Sequence, residues 1–208
     1  IGVFNNEFIE SVLSSEVKVV QVDPKADIKE FSQVFIDNEH GAFLAIQYLI
    51  DAGHKKIGFI SGDLDRLSFK QRLDGYKKAL EHNNIKFHES LLRCGGLENG
   101  YDQVKNLVEA EQPTAIFSAN DQNSKSGYNA ISDLGFAIPD DISIVGFDDI
   151  WNSSIAKPPL TTIRVYKEEL GSIGVRTLLR IINGELVGPV NIIMPVKFVE
   201  RQSVKKIN

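Results

Sequence analysis

Short runs rich in β-branched and aromatic residues alternate with amphipathic segments along most of the chain, and this alternation limits the possible folds more than any other feature. The runs predict strands at residues 1–4, 17–22, 32–37, 57–61, 114–119, 142–147, 161–164 and 192–199, with a weaker one at 91–94. Strand, helix and strand at this spacing are typical of parallel sheets with helical crossovers. We therefore expect an α/β protein.

Three of the intervening segments show a clear helical pattern. They are "NEHGAFLAIQYLIDAGH", "FKQRLDGYKKALEHN" and "NSKSGYNAISDLGF". In the first, four apolar residues recur on one helical face: Ala42, Ala45, Ile46 and Leu49. Gly53 and Gly135 are the next-to-last residues of the first and third segments, and glycine is the residue that most often terminates a helix.

The composition excludes several classes of protein. The chain has 208 residues, 42% of them hydrophobic, and a formal net charge of −5 with no sustained block of Lys or Arg, so by itself it is a poor candidate for binding nucleic acid. Cys94 is the one cysteine in the sequence, which leaves no disulfide framework and no CxxC metal pair. No apolar run is long enough to span a bilayer, and the N-terminus lacks a signal-peptide pattern. We expect a cytoplasmic protein without membrane partners.

The motifs of common enzyme classes are also absent from the sequence. There is no GxSxG elbow, no Walker A motif and no GxGxxG fingerprint. The histidines form no HExxH pattern, and the acidic pair Asp63 and Asp65 is more typical of a polar loop than of a metal site. We therefore expect no cofactor, no metal and no catalysis.

Two stretches share a pattern in which an apolar run ends abruptly on polar residues. "PTAIFSANDQ" ends with Asn120 and Asp121, and "DISIVGFDDI" ends with Asp148 and Asp149. Because ligands of open parallel sheets bind outside the carboxyl ends of the strands, both pairs are expected at one edge. They could act as an acid pair, a ligand clamp, or helix caps and turns. Adjacent residues of an extended segment point in opposite directions, which favours one ligand contact and one structural bond in each pair over paired acid catalysis.

Five blocks of the sequence together resemble the effector-binding core of the lactose-repressor family of bacterial transcription regulators. They are, in order, "DNEHGAFLAIQYLIDAGHKKIGFISG", "SFKQRLDGYKKAL", "FSANDQ", "IPDDISIVGFDDI" and "KPPLTTIRVYKEELGSIGVRTLLRIINGE". The resemblance covers roughly residue 37 to the end of the chain. It implies two similar parallel-sheet subdomains of the periplasmic-binding-protein type, with a cleft between them for a small sugar-like or nucleoside-like effector.

The resemblance also implies a division of the chain and a set of partners. One subdomain would comprise residues 1–36 and 161–190, and the other residues 37–160 and 191–208. The family's helix-turn-helix domain and hinge helix have no counterpart in this sequence, so operator DNA would be bound only through an absent N-terminal part. The segments 167–183 and 5–15 resemble parts of the family's dimer surface, although ordinary core packing of Leu170, Gly174, Leu178 and Ile181 and a monomeric state stay open.

Ligand-binding residues follow from the resemblance position by position. Arg72 matches an arginine that reaches a ligand hydroxyl or carboxylate, Asn120 a ligand amide, and Asp148 a ligand carboxylate. Asp23 occupies the place of an aspartate in the first subdomain's part of the site, and Phe147 would add an apolar wall. The function implied is that of an effector-sensing, dimerising repressor core in which ligand changes subdomain closure. The alternatives are a transport-linked solute-binding protein of the same fold and an enzyme with Asp148 as base.

Several positions keep two interpretations. Ser68, one helical turn before Arg72, would contact ligand or begin the helix, and Trp151 would line the mouth of the cleft or pack the crossover. Asn120 or Asp121 would cap the following helix, with capping favoured for Asp121, and Asp149 would fix a turn. Where many relatives carry an aromatic residue that stacks on a sugar, this sequence has Gly95 or Leu97.

Overall fold

The computed structural model describes residues 6–24, 28–95 and 100–207, so the predicted strand at 1–4 and Leu97 lie outside the described residues. The chain forms two compact units. The first unit comprises Ile1–Asp37 and Tyr166–Pro195, and the second comprises Asn38–Val165 and Val196–Asn208. The chain therefore passes from one unit to the other three times.

The first unit is built on a three-stranded parallel sheet in the order β1-β2-β8. Its elements are helix α1 (Asn6–Leu13), strands β1 (Val20–Val22) and β2 (Ser32–Ile36), helix α7 (Lys167–Ile182) and strand β8 (Asn191–Met194). Helix α7 lies close to the sheet because Gly174 has no side chain; a Cβ there would stand 2.5 Å from Cγ2 of Val22.

The second unit is built on a four-stranded parallel sheet in the order β4-β3-β5-β6. The strands are β3 (Ile57–Ser61), β4 (Leu92–Cys94), β5 (Ala115–Ser118) and β6 (Ser143–Val145), and an antiparallel pair is formed by β7 (Thr162–Arg164) and β9 (Lys197–Val199). The helices are α2 (Asn38–Asp51), α3 (Leu67–His82), α4 (Gly100–Glu111), α5 (Asp121–Asp133) and α6 (Trp151–Ile155), with a 3₁₀ turn at Glu89–Leu91.

The core of the second unit lies between this sheet and its helices. Strands β3, β5 and β6 are buried on both faces, as the continuous apolar runs predict for a parallel sheet, whereas β4 at the edge of the sheet is only partly buried. The four apolar residues predicted to share one face of α2 are all fully buried. Gly53 and Gly135 follow their helices with φ angles of +98° and +81°, the left-handed conformation that glycine adopts at low cost.

Two expectations about the chain's path need correction. The predicted strand at 192–199 is two strands that pair with different sheets, β8 with β2 and β9 with β7, and Pro195 lies between them. Proline lacks the N–H that a continuous strand would need there. Residues 161–165 fall in the second unit and residues 191–195 in the first, because strand pairing decides which unit each short segment joins.

Candidate functional site

Polar groups from three elements of the second unit meet at the carboxyl edge of the four-stranded sheet. Arg72, on α3, donates a short hydrogen bond from Nη1 to the carbonyl oxygen of Ala119, which follows β5. The same Nη1 lies 3.4 Å from Oδ1 of Asp148, which follows β6. Because β5 and β6 are parallel neighbours, Asn120 and Asp148 emerge at one edge, as their positions after the two strands predict.

Arg72 is buried and fixed from several directions. Only 5% of its surface is exposed, and its Nε donates to Oδ1 of Asn38 at 2.9 Å. The guanidinium carbon lies 3.7 Å from the centroid of the Phe147 ring and 5.8 Å from that of Phe69. A planar cation that stacks on aromatic rings and donates in its own plane has little freedom to rotate. Arg72 is therefore not a surface residue of α3 but a preorganised hydrogen-bond donor.

Asn38 orients Arg72 and was missed by the sequence analysis. It is buried, and its Nδ2 donates to Oε1 of Gln71 at 3.0 Å while its Oδ1 accepts from Arg72. Asn38 begins α2 directly after Asp37, where the chain enters the second unit. Its position in the sequence could have indicated this role, because Asp37 and Asn38 are a polar pair at the end of an apolar run, as Asn120 and Asp121 are.

Asn120 caps helix α5. It has an extended backbone, and its Oδ1 accepts a hydrogen bond of 2.7 Å from the backbone N–H of Asn123. The expectation that Asp121 is the capping residue is therefore wrong. Capping uses only the amide oxygen of Asn120. Among the described residues, no hydrogen bond from Nδ2 of this side chain is seen. The amide can cap the helix and still offer Nδ2 to a ligand.

Asp121 is a structural residue with another role. Its carboxylate accepts from the backbone N–H of Ile150 at 3.0 Å and from the hydroxyls of Ser153 and Thr162 at 2.6 and 2.7 Å. Burial raises the pKa of Asp121 to about 6, although these hydrogen bonds oppose the shift; the nearby charge of Asp148 adds to it. Asp121 thus ties the start of α5 to α6 and β7.

Asp148 and Asp149 face different partners, as expected of neighbours with different roles. Both residues have positive φ, 110° and 47°, so the segment is not extended as assumed; the left-handed turn itself separates the side chains. Asp149 is bound by Arg164 and Arg201, each at 2.6 Å. Burial alone would raise the pKa of the Asp149 carboxyl, but hydrogen bonds from the two arginines outweigh it and lower that pKa. Asp149 therefore fixes the turn that presents Asp148.

The remaining predicted residues differ in their surroundings. Phe147 is fully buried beneath Arg72, so it supports the arginine and is not an exposed apolar wall. Ser68 is the second residue of α3 and is half-buried, whereas the capping position belongs to Arg66. Trp151 is 75% exposed, which excludes the packing role. Asp23 follows β1 in the first unit with a φ of 50°, and its N–H donates to the carbonyl oxygen of Val34.

The chemistry of this edge is that of hydrogen bonding. Arg72 supplies a fixed cation, Asp148 a carboxylate that is partly exposed, and Asn120 an amide donor. Within the described ranges, no three His, Cys, Asp or Glu side chains are grouped as a metal site would require. No helix in the same ranges is long and apolar enough to cross a membrane.

Comparison with known proteins identifies the family of the chain. Residues 46–204 match the model of the "periplasmic binding protein-like domain". The chain therefore belongs to the periplasmic binding protein-like domain family. Among curated proteins it is 36% identical over 190 residues to the HTH-type transcriptional repressor PurR of Mannheimia succiniciproducens, which covers 89% of this chain and 55% of that protein.

Solved structures of transcriptional regulators of the LacI type share the fold of this chain. A LacI transcriptional regulator from Bacillus cereus subsp. cytotoxis superposes with a TM-score of 0.91 at 31% identity, covering 99% of this chain and 74% of that one. A LacI family regulator from Enterococcus faecium with bound ribose gives a TM-score of 0.88 at 26% identity, covering 98% of this chain and 77% of that one. The parallel α/β fold expected from the sequence is confirmed.

Proposed function

We propose that this chain is the effector-sensing core of a bacterial transcriptional repressor. The observation that carries the proposal is the buried Arg72 held beside Asp148 and Asn120 at the carboxyl edge of the sheet. Burying the charged guanidinium between Phe147 and Asn38 costs desolvation free energy. Strongly desolvated charges of this kind are concentrated at functional sites. The match to this chain covers 55% of the length of the PurR repressor from Mannheimia succiniciproducens. We therefore expect the binding of operator DNA to belong to sequence outside this chain.

The ligand that best fits these groups is a small sugar-like or nucleoside-like molecule. Arg72 donates in a fixed plane, Asp148 accepts, and Nδ2 of Asn120 donates, a set that matches neighbouring hydroxyl groups. The ribose found in the Enterococcus faecium regulator supports this class. Asp23, Ser68 and Trp151 are proposed as additional contacts, with Trp151 at the mouth of the site.

The contacts of the second unit suggest how binding would be transmitted. The chain passes between the units after Asp37, Val165 and Pro195. Near each passage lies a residue that is bonded to the site: Asn38 binds Arg72, and Arg164 and Arg201 bind Asp149. A ligand that contacts Arg72 or Asp148 and binds an open and a closed state with different affinity would shift the equilibrium between those states. The shift would change the DNA affinity of the whole regulator.

The whole protein is proposed to act in the cytoplasm as a homodimer. A regulator of transcription must reach DNA, and the relatives named above are transcriptional regulators, which favours this role over solute transport or catalysis.

A melting-shift screen over sugars, sugar phosphates, nucleosides and purines, followed by calorimetry, tests the proposal. We expect Asp148→Ala to abolish binding of the compound that gives the largest shift while thermal unfolding stays cooperative. Asp102→Ala, which removes an exposed carboxylate from the first turn of α4, is the matched control and should bind as the wild type does. Unchanged affinity of Asp148→Ala would remove this edge from the binding site.

A further inference from the structure

Two buried amides in the second unit have polar atoms without hydrogen-bond partners. Asn123 is fully buried, and neither Oδ1 nor Nδ2 has a partner in the part of the chain that the structure describes. Gln103 is 7% exposed, and its Oε1 is likewise unpartnered. Most buried polar atoms in folded proteins are hydrogen-bonded, so three unsatisfied atoms in two side chains call for an explanation.

Both amides lie at the carboxyl edge that carries the proposed effector site. Gln103 donates from Nε2 to the carbonyl oxygen of Ser61, the last residue of β3, at 3.1 Å. A Cβ at Gly95, which follows β4, would stand 3.2 Å from the same Nε2. The unpartnered oxygen of Gln103 is therefore fixed beside the ends of β3 and β4.

Asn123 reaches the same region from α5. It lies in the first turn of α5, and its backbone N–H donates to Asn120. Its Oδ1 stands 3.1 Å from where a Cβ at Gly100 would be, and Gly100 shares one face of α4 with Gln103 because residues three apart are neighbours on a helix. The two amides thus face the junction between the first turns of α4 and α5, next to Asn120.

The unsatisfied atoms are two acceptors and one donor group, and this set selects one kind of partner. A carboxylate or phosphate would place its oxygens against two acceptor oxygens, and an apolar group would leave all three atoms unsatisfied. A hydroxyl donates one hydrogen bond and accepts another, so it pairs with the donor group and one of the two acceptors, and a second hydroxyl on the neighbouring carbon pairs with the other acceptor. We propose that Gln103 and Asn123 form a subsite that binds neighbouring hydroxyl groups of the effector.

This inference rests on the proposed function and deepens it, because it restricts the effector to hydroxylated molecules. A sugar or a nucleoside has a hydroxyl to place in the subsite, whereas a free purine base does not. D-Ribose, cellobiose and adenosine are therefore the test ligands, with adenine as the comparison that lacks hydroxyls.

The variants Gln103→Met and Asn123→Leu test the subsite because they keep nearly the same volume and remove the polar atoms. We expect each to lower the affinity for whichever hydroxylated probe the wild type binds most tightly, by roughly threefold to tenfold, the value of one hydrogen bond. The melting temperature of the free Asn123→Leu protein should stay constant or rise, because replacing an unpaired buried amide by an apolar group removes a desolvation cost. Gln103→Met also loses the hydrogen bond from Nε2 to Ser61, so its melting temperature should fall. Binding of adenine, if it occurs, should not change.

Gln21→Met is the matched control, since Oε1 of Gln21 is also buried and unpartnered but lies on β1 in the first unit. It should leave every affinity unchanged. Affinities within about twofold of wild type in both subsite variants, while Asp148→Ala abolishes binding, would overturn the subsite and leave the proposed function in place. A fall of several degrees in the melting temperature of Asn123→Leu would also overturn it, because the Asn123 amide would then be bonded in the free protein. If the wild type binds none of the probes, both proposals fail.

Discussion

At the scale of single residues, the chain buries charged and amide groups at the sheet edge by pairing each with specific partners. Arg72 is bonded to Asn38 and Ala119 and stacked on Phe147, so its lost hydration is largely replaced. Two buried acids, Asp121 and Asp149, are also held, one by hydroxyls and a backbone N–H and the other by two arginines.

Asn38→Leu should weaken effector binding by about tenfold and lower the free energy of unfolding by about 1–3 kcal/mol, because Nε of Arg72 loses its acceptor in a buried position. Asn38→Asp keeps the acceptor, and the Gln71 amide can turn to donate to it, so this variant should recover most of the affinity. Calorimetry with the best compound of the screen measures both. Equal affinities for Asn38→Leu and the wild type would show that Asn38 does not position Arg72.

Asp121 should give the stability of the protein a distinct pH dependence. Its pKa is raised from 3.8 to about 6 in the folded state, so its contribution to stability is present below pH 4 and is lost as the pH rises through 6. Relative to Asp121→Asn, the wild type should therefore lose on the order of 1–3 kcal/mol of unfolding free energy between pH 4 and 7. Urea unfolding at several pH values measures this difference, with Asp102→Asn as the exposed control. A constant difference across the range would contradict it.

At the scale of elements, close helix packing and short strands place the site. Helices α2 and α3 approach each other at Gly75, where a methyl group would overlap the carbonyl oxygen of Glu39 and stand 2.9 Å from the Cβ of Ala42. This contact fixes α3, and hence Arg72, against α2, which begins with Asn38.

Gly75→Ala should destabilise the second unit by at least about 2 kcal/mol, because backbone atoms cannot move aside as side chains do and α2 and α3 would have to separate. Gly171→Ala is the control: it lies within α7 with no atom near its Cβ position and should stabilise the protein by roughly 0.5–1 kcal/mol through helix propensity. Thermal and denaturant unfolding measure both. Equal effects of the two substitutions would show that the contact at Gly75 does not limit packing.

Most elements could be predicted from the sequence, and the exceptions have physical causes. Strand β3 agrees in both bounds, and helices α2, α3, α5 and α7 agree to within a few residues, because their apolar periodicity is local information. Helix α6 was not predicted, since five residues are too few to show a period. The division of 192–199 between β8 and β9 depends on partners far away in the sequence.

At the scale of the whole molecule, the first unit exposes an apolar surface. On α7, Leu170 and Gly174 are buried, so core packing is the one of their two interpretations that the structure supports. The exposed apolar side chains of the helix are instead Val175, Leu179 and Ile182, at 60%, 53% and 59%. Exposed apolar residues grouped at helical spacing are typical of association surfaces.

The double variant Val175→Glu with Leu179→Glu should convert a homodimer to a monomer, because burying two carboxylates at an interface would cost more than the apolar contact provides. Sedimentation equilibrium measures the mass, and circular dichroism checks that the fold is retained. Ser172→Glu, an exposed change on the same helix, should stay dimeric. An unchanged dimer in the double variant would place the interface elsewhere.

Periodicity and motif order are properties of neighbouring residues, so the α/β class, the strand ends that carry Asn120 and Asp148, and the family could all be predicted before the fold was known. The structural roles of the polar residues could not be predicted in this way. Asn120 rather than Asp121 caps α5, Phe147 lies beneath Arg72, and Asn38 orients it. These roles depend on partners brought together by the fold, as in the bond from Arg72 to Ala119, and no local pattern encodes such distances.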